Sequence, residues 1–307
     1  MLKPNFDPEG YVAANDHPDW NQSFYFNFYD PAHEIGGFIR IGILENREEA
    51  NLWFVFFRDG RPLFTRLNMN LPYTEDRLAG GVTLAGVTVK ALEPLRSASV
   101  SFDEANFKVD LKWDSILPMM DSIELSDGGE DDAFAKEMTH YHPEGTCDVT
   151  GTITLRGGEE IAIGGKGFRD LSYGPRNWDY MQHYRLAWPI FENGLSIVAV
   201  HGYATNGSDN YMRMVGKNGK WIAMTDMKET ITYEDDEMTM RSGKWEVTDA
   251  EGEVHEFTSR RIFRWMFPFD TFVVTEHMME YTLADGTKGY GLGECGFRFP
   301  WEGNGED

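Results

Sequence analysis

What most constrains this chain is its rhythm. Short runs dense in aromatic and β-branched residues recur along most of its length, and turn dipeptides cut between them. Gln22 to Tyr29, Gly37 to Leu44 and Asn51 to Arg58 are such runs, and Asp59-Gly60 is a hairpin-type turn. Val82 to Lys90, Ala98 to Phe102 and Phe107 to Trp113 continue the series. The later part repeats it with Cys147 to Leu155, Tyr184 to Pro189, Leu195 to Tyr203, Asn210 to Val215, Lys220 to Met224 and Lys228 to Tyr233. Gly243 to Val247, Glu256 to Phe263, Thr271 to Leu283 and Gly289 to Phe299 complete it, with turn signals at Asn193-Gly194, Asn218-Gly219, Glu251-Gly252 and Asp285-Gly286. No long amphipathic helix interrupts the pattern. Many strands at short spacing, joined by hairpins, predict an all-β protein built of antiparallel β-barrels or sandwiches.

A chain of 307 residues exceeds one ordinary β domain, so two barrel-like domains of similar length are predicted. Ile116 to Phe134, with its acidic Asp-Gly-Gly-Glu-Asp-Asp run, reads as a loop or short helix between regions. The boundary is placed between Thr146 and Cys147, which gives domains 1–146 and 147–307.

A formal net charge of −23 argues against nucleic acid and anionic membrane surfaces as partners. No apolar run approaches the length a membrane helix needs, and Met1 to Asp7 lacks the apolar region of a signal peptide. The two cysteines, Cys147 and Cys295, form no framework and no CxxC pair, which predicts a reduced, cytoplasmic protein. Aromatic residues make up 14% of the chain, enough to fill β cores and also to line a pocket for a hydrophobic small molecule. A homodimer is left open.

One stretch departs from strand alternation. Gly165-Lys-Gly-Phe-Arg-Asp-Leu-Ser-Tyr-Gly-Pro-Arg-Asn-Trp178 gathers glycine, both charge signs, a hydroxyl and aromatic rings. Its glycines and Pro175 permit tight turns and close backbone approach, so that Asp170, Ser172, Tyr173 and Arg176 are presented to a ligand. Asp170 beside Arg169 serves either as an acid or as an ion pair that pins a turn. Trp178, Tyr180, His183, Tyr184 and Trp188 follow, and Tyr184, Leu186 and Trp188 are expected to share a strand face turned to a barrel interior. Such a ring layer is either core or a wall that stabilises positive charge. His201 and Glu294 stand out as polar residues within otherwise apolar strands.

No nucleotide, cofactor or hydrolase signature is found. His140 and His142, two apart, share a face with Glu144 if extended, which could hold a metal; no distant third ligand is indicated, and no metal is predicted.

The central stretch resembles the G-x-R-D-H-S-W-G-x-R-x-W signature of the tandem lipocalin-like proteins related to AttH and carotenoid 1,2-hydratase (hydroxyneurosporene synthase). The run from Trp20 through Ser23, Phe24 and Tyr25 is similar to an early W-x-E-S-Y-Y-F run of that family, and Gly37 to Gly42 with Asn46 to its G-x-x-R-I-G-x-x-x-N strand. His142-Pro-Glu144 through Gly151 resembles its H-x-E-Q segment leading into V-x-G. Leu171 stands where the family has His, Tyr173 where it has Trp, and Gln22 where Glu is common.

The resemblance implies two lipocalin-like antiparallel β-barrel domains in tandem and an apolar small-molecule site. It implies a cofactor-independent lyase (hydratase or dehydratase) or isomerase that uses acid–base chemistry on a terpenoid or aromatic substrate. The motif carboxylate, proposed as proton donor in the hydratases, falls on Asp170. His142, Tyr173 and Arg176 complete the expected catalytic group, and His142 or His183 would replace the missing histidine. Trp178, His183, Tyr184, Trp188, His201 and Glu294 are the expected substrate-binding residues. The alternative is a non-catalytic binding protein for a hydrophobic metabolite.

Overall fold

The structure, a computed structural model, describes residues 9–10, 12–73, 77–78, 81–125, 137–269 and 271–300. Its strands, in chain order, are β1 (Trp20–Asp30), β2 (Ile35–Leu44), β3 (Glu49–Arg58), β4 (Arg61–Pro72), β5 (Arg77–Leu78), β6 (Gly81–Leu84), β7 (Val87–Glu93), β8 (Ser97–Glu104), β9 (Phe107–Ser115) and β10 (Met120–Asp121). They continue as β11 (Pro143–Leu155), β12 (Glu160–Pro175), β13 (Met181–Phe191), β14 (Ser196–Ala204), β15 (Asp209–Lys217), β16 (Lys220–Tyr233), β17 (Met240–Asp249), β18 (Val254–Phe269), β19 (Phe272–Leu283) and β20 (Lys288–Arg298). A short helix, α1 (Ser122–Leu125), lies within the expected irregular segment, much of which falls outside the described residues. Among the described residues no helix is long and apolar enough to cross a membrane.

The protein is therefore nearly all β, in two antiparallel sheets. Twelve strands form the first, in the order β4-β3-β2-β1-β12-β11-β9-β8-β7-β6-β5 with β10 paired to β11, and it curls into a half-barrel. Eight strands, β13 to β20, close into a ring in simple up-and-down order. Hairpin turns place Asp59-Gly60 and Asn218-Gly219 at positive φ, as the sequence predicts.

The two compact units are Met1–Ser122 with Thr139–Arg176, and Ile123–Met138 with Asn177–Asp307. The boundary expected between Thr146 and Cys147 thus falls inside β11. That strand pairs with β9 on one side and β12 on the other, so the backbone ladder holds all of it in the first sheet.

Two smaller expectations also change. Val82 to Lys90 is a hairpin, because Ala85 and Gly86 both take positive φ. The stretch from Gly165 is no cluster of turns: up to Pro175 it belongs to the sixteen-residue β12, paired residue by residue with β1. A Cβ on Gly167 would lie 2.2 Å from the Asn27 carbonyl oxygen, and one on Gly165 2.3 Å from that of Tyr29. These glycines serve close strand approach, not chain reversal.

Alternation sorts the first sheet into two faces. Phe24, Phe26 and Phe28 of β1 join Ile39, Ile41, Phe54, Phe56, Trp113, Val149 and Leu171 in an apolar core. Rings meet there edge-on, as Phe26 and Trp113 do at 5.0 Å between centroids. The residues between them, Asn21, Ser23, Tyr25 and Asn27, therefore point to the other face. The ring of β13 to β20 has its own core, with Phe191, Ile197, Val215, Trp245, Phe257, Met279 and Tyr281.

Candidate active site

Polar side chains collect on the face of the first sheet opposite its apolar core. Glu144 of β11 and Asp170 of β12 are directly paired, so their carboxylates stand side by side. His142, one residue before β11, turns its Nε2 to both: 3.6 Å to Glu144 Oε1 and 3.5 Å to Asp170 Oδ1. Its backbone N–H donates to Asp121 Oδ1 and its carbonyl accepts from the Ser122 N–H, which fixes where the ring can point. Burial alone would favour neutral His142, and Arg176 acts the same way; Glu144 and Asp170 outweigh both and raise its pKa above the usual histidine value.

Ser172, two residues on from Asp170, shares this face. Its Oγ lies 2.9 Å from Ser23 Oγ and accepts a hydrogen bond from Arg176 at 2.7 Å. The guanidinium is thereby anchored by an uncharged partner. Beyond Ser23 the same face carries Asn21, Arg40 and Asn51, with Arg40 donating to the Asn51 amide oxygen and lying 5.0 Å over the Trp53 ring. Arg40, Asn51, Asn21, Ser23, Ser172 and Glu144 are all buried. Polar groups are retained at such depth when they are bonded to one another or face a ligand.

The sequence-predicted residues distribute unevenly. Asp170, His142 and Arg176 come together. Tyr173 does not join them: strand alternation puts it on the core face with Leu171, where its ring packs 5.1 Å from Tyr141 and 6.1 Å from Trp20. The expected Asp170–Arg169 pair is absent for the same reason. Arg169 faces the other way and forms a buried ion pair with Glu9, 2.5 Å apart.

The remaining candidates lie in the second unit. Trp178 stacks on Phe269 and Phe272 at 4.9 and 4.8 Å. Tyr184, Leu186 and Trp188 do share a face, but it is turned away from the ring's interior. Ala187, between Leu186 and Trp188, is the residue that joins the interior core. Tyr184 donates to Glu294 Oε1 at 2.6 Å on that outer face, and fully buried Trp188 packs edge-on to Trp221. His183 and His201 point inward. His201 and Glu294 therefore stand on opposite sides of one barrel wall.

Ser23, Arg40 and Asn51 were not singled out from the sequence, Ser172 only as a side chain presented to a ligand, and Glu144 only as a neighbour of His140 and His142 that could hold a metal. A signal for them exists in the sequence: polar residues at alternate positions in strands otherwise apolar, as in Trp20 to Tyr29 and Ile39-Arg40-Ile41.

His142, Glu144 and Asp170 offer an imidazole nitrogen and two carboxylate oxygens within 4.8 Å of one another, a set that could also hold a divalent cation. His140, expected in such a set, is elsewhere: its ring lies edge-on to Trp20 at 5.8 Å, and burial lowers its pKa. Asp249, Glu253 and His255 form a second cluster, but the Lys217 ammonium lies 2.6 Å from Asp249 and 2.8 Å from Glu253 and supplies the positive charge there.

A half-barrel followed by a closed eight-stranded ring gives the chain a tandem lipocalin-like fold, which it shares with solved structures. The chain belongs to the family described as a domain of unknown function, DUF7064, which matches residues 10–298. No curated protein matches its sequence. Solved structures share the fold at low identity. A Nitrosomonas europaea protein assigned as an AttH is 13% identical, with a TM-score of 0.65 over 96% of each chain. CghA is 12% identical, with a TM-score of 0.65 over 100% of this chain and 95% of its own. Kievitone hydratase from Nectria haematococca is 10% identical, with a TM-score of 0.61 over 92% and 90%.

Proposed function

We propose that this protein is a lyase or isomerase that adds water to, or removes it from, a hydrophobic small molecule by acid–base catalysis at His142, Asp170 and Glu144. The observation that carries this reading is one imidazole set against two directly paired carboxylates, Glu144 buried and Asp170 half-buried. Like charges side by side with a histidine between them favour an imidazolium, so His142 can deliver a proton and take it back.

In the hydration direction the His142 Nε2–H protonates one carbon of a polarised double bond. Water adds to the other carbon and gives up its proton to a carboxylate of the pair. Dehydration is the reverse: a proton leaves carbon, and the hydroxyl departs as water after protonation. Arg176, held by Ser172, places a fixed positive charge close enough to disfavour the imidazolium, which sharpens the acidity of His142. The kievitone hydratase name among the fold relatives supports the hydration reading.

The test is turnover by the pure protein against terpenoid and prenylated aromatic alkenes in oxygen-18 water. Label in the product, lost in both His142→Gln and Asp170→Asn with fold intact, supports the proposal. Product formation undiminished in both variants overturns it. A non-catalytic binder of the same ligands would retain them unchanged.

A further inference from the structure

The interior of the ring β13 to β20 is not uniformly apolar. At the end where β13 begins, cross-strand pairing lines up His183 with Tyr203 and Phe297, and Arg185 with His201 and Cys295. His201 in turn pairs with Tyr211, and Ala199 with Arg213. Ala187, Ala199, Cys295 and Phe297 belong to the interior core, so all these side chains project inward.

His201 is held in one form. Its Nδ1 faces Arg185, which can only donate, at 3.4 Å, and the Tyr203 hydroxyl at 3.2 Å. Burial, followed by the charge of Arg185, lowers its pKa to about 4, so the ring is neutral and its proton sits on Nε2. That Nε2 is buried and makes no hydrogen bond among the described residues, and the whole residue is 8% exposed. The Asp209 carboxylate lies 3.9 Å away, beyond bonding distance. The ring is flanked by Tyr203 at 4.2 Å and Tyr211 at 4.1 Å.

A second donor stands nearby. Arg213 lies over the Tyr211 ring at 4.5 Å and makes no hydrogen bond or ion pair among the described residues. Arg185, by contrast, is already neutralised by Glu229.

The strand ladder is interrupted at this place. Pairing of β15 with β16 stops at Met214 and Ala223, while β16 continues along β17 as far as Tyr233. Asp209 to Arg213 consequently have no partner on the β16 side. Tyr203, Tyr211, Arg213 and Glu229 face inward yet are only half-buried, which requires that water reach them through the mouth or this slot.

We infer that this slot admits a ligand of its own, a planar aromatic monocarboxylate, whose carboxylate takes the His201 Nε2–H and the Arg213 guanidinium while its ring lies against the tyrosines. Arg213, unpaired among the described residues, selects a single negative charge, since Asp209 and Glu229 disfavour a second. The rings select a flat apolar body. The site lies wholly within the second unit and does not use His142 or Asp170.

The experiment is calorimetric titration of the full chain with 2-naphthoate and with 2-naphthylmethanol, its neutral counterpart of similar shape. The carboxylate is expected to bind at least about tenfold tighter than the alcohol, the value of a charge-assisted hydrogen bond. Arg213→Met and His201→Phe should each remove that preference, and Asp209→Asn should strengthen it. Asp170→Asn should leave it unchanged. Equal binding of the two probes, no binding of either, or a preference that survives Arg213→Met would overturn the inference. So would loss of naphthoate binding in Asp170→Asn, which would place the ligand in the first unit. Arg213 is half-buried and its ring contact is peripheral, so its variant reports even if His201→Phe fails to fold.

Discussion

His142 and Asp170 meet across the β11–β12 ladder, Nε2 to Oδ1, at 3.5 Å. The histidine approaches from just before one strand and the carboxylate from the middle of the next. Glu144, paired with Asp170, completes the contact from the strand that follows the histidine. This arrangement gives the motif aspartate a partner that its neighbour in sequence, Leu171, could not supply even as a histidine.

Leu171→His tests that geometry. The side chain at this position is 2% exposed and pairs with Phe24 in the apolar core. An imidazole there is expected to cost about 2–4 kcal/mol through lost packing and a buried polar group. It should not raise turnover. Urea denaturation and the assay above read the two effects separately.

Removing members of the cluster should cut catalysis steeply. His142→Gln and Asp170→Asn are each expected to lower kcat by roughly 10²–10⁴-fold, the usual contribution of a positioned acid or base. The double variant should be little worse than either single one, because the two act on one proton.

The raised pKa of His142 predicts a pH dependence of stability. An unfolded histidine titrates near 6.5, and in the fold the proton is held more tightly. The stabilising contribution is therefore fully present below the unfolded value and is lost as pH rises through the higher folded value. Urea midpoints should fall with increasing pH across that window, and His142→Gln should flatten the decline.

Gly167→Ala probes the close approach of β12 to β1. Its Cβ would meet the Asn27 carbonyl oxygen at 2.2 Å and the Val149 side chain at 2.8 Å. Backbone must move, at an expected cost of about 1–3 kcal/mol. Gly158→Ala, where nothing lies within 4 Å but φ is positive, should cost only the smaller left-handed penalty. Thermal melts of the two variants give the comparison.

Arg185 and Glu229 form an ion pair inside the ring, both partly screened from water. Arg185→Met should destabilise by about 1–3 kcal/mol by leaving Glu229 uncompensated, and the double variant with Glu229→Met should recover part of that loss. A double-mutant cycle measures the coupling.

Much of the fold was written in local chemistry. Turn dipeptides and runs such as Phe54 to Phe57 marked strands and hairpins, since backbone dihedrals and the two-residue side-chain period act over a few positions. Asp170 stood out in its motif, and the structure sets it beside His142 and Glu144. The faces were not. Tyr173 and Asp170 are three apart, and assigning them to opposite sides requires knowing that the glycine-rich stretch runs on as an uninterrupted strand. That depends on Gly165 and Gly167 fitting against the β1 carbonyls, a contact with residues well over a hundred positions away.

The sequence by itself determined that this chain is all-β, hairpin-connected and arranged as two barrel-like sheets, because those properties follow from neighbours. Tertiary structure alone decided that β11 and β12 belong to the first sheet and that His142 is the histidine beside Asp170. It also turned Tyr184 and Trp188 outward and His201 inward. Strand pairing brings distant residues into register, and a shift of one residue would exchange every face. No local pattern encodes that choice.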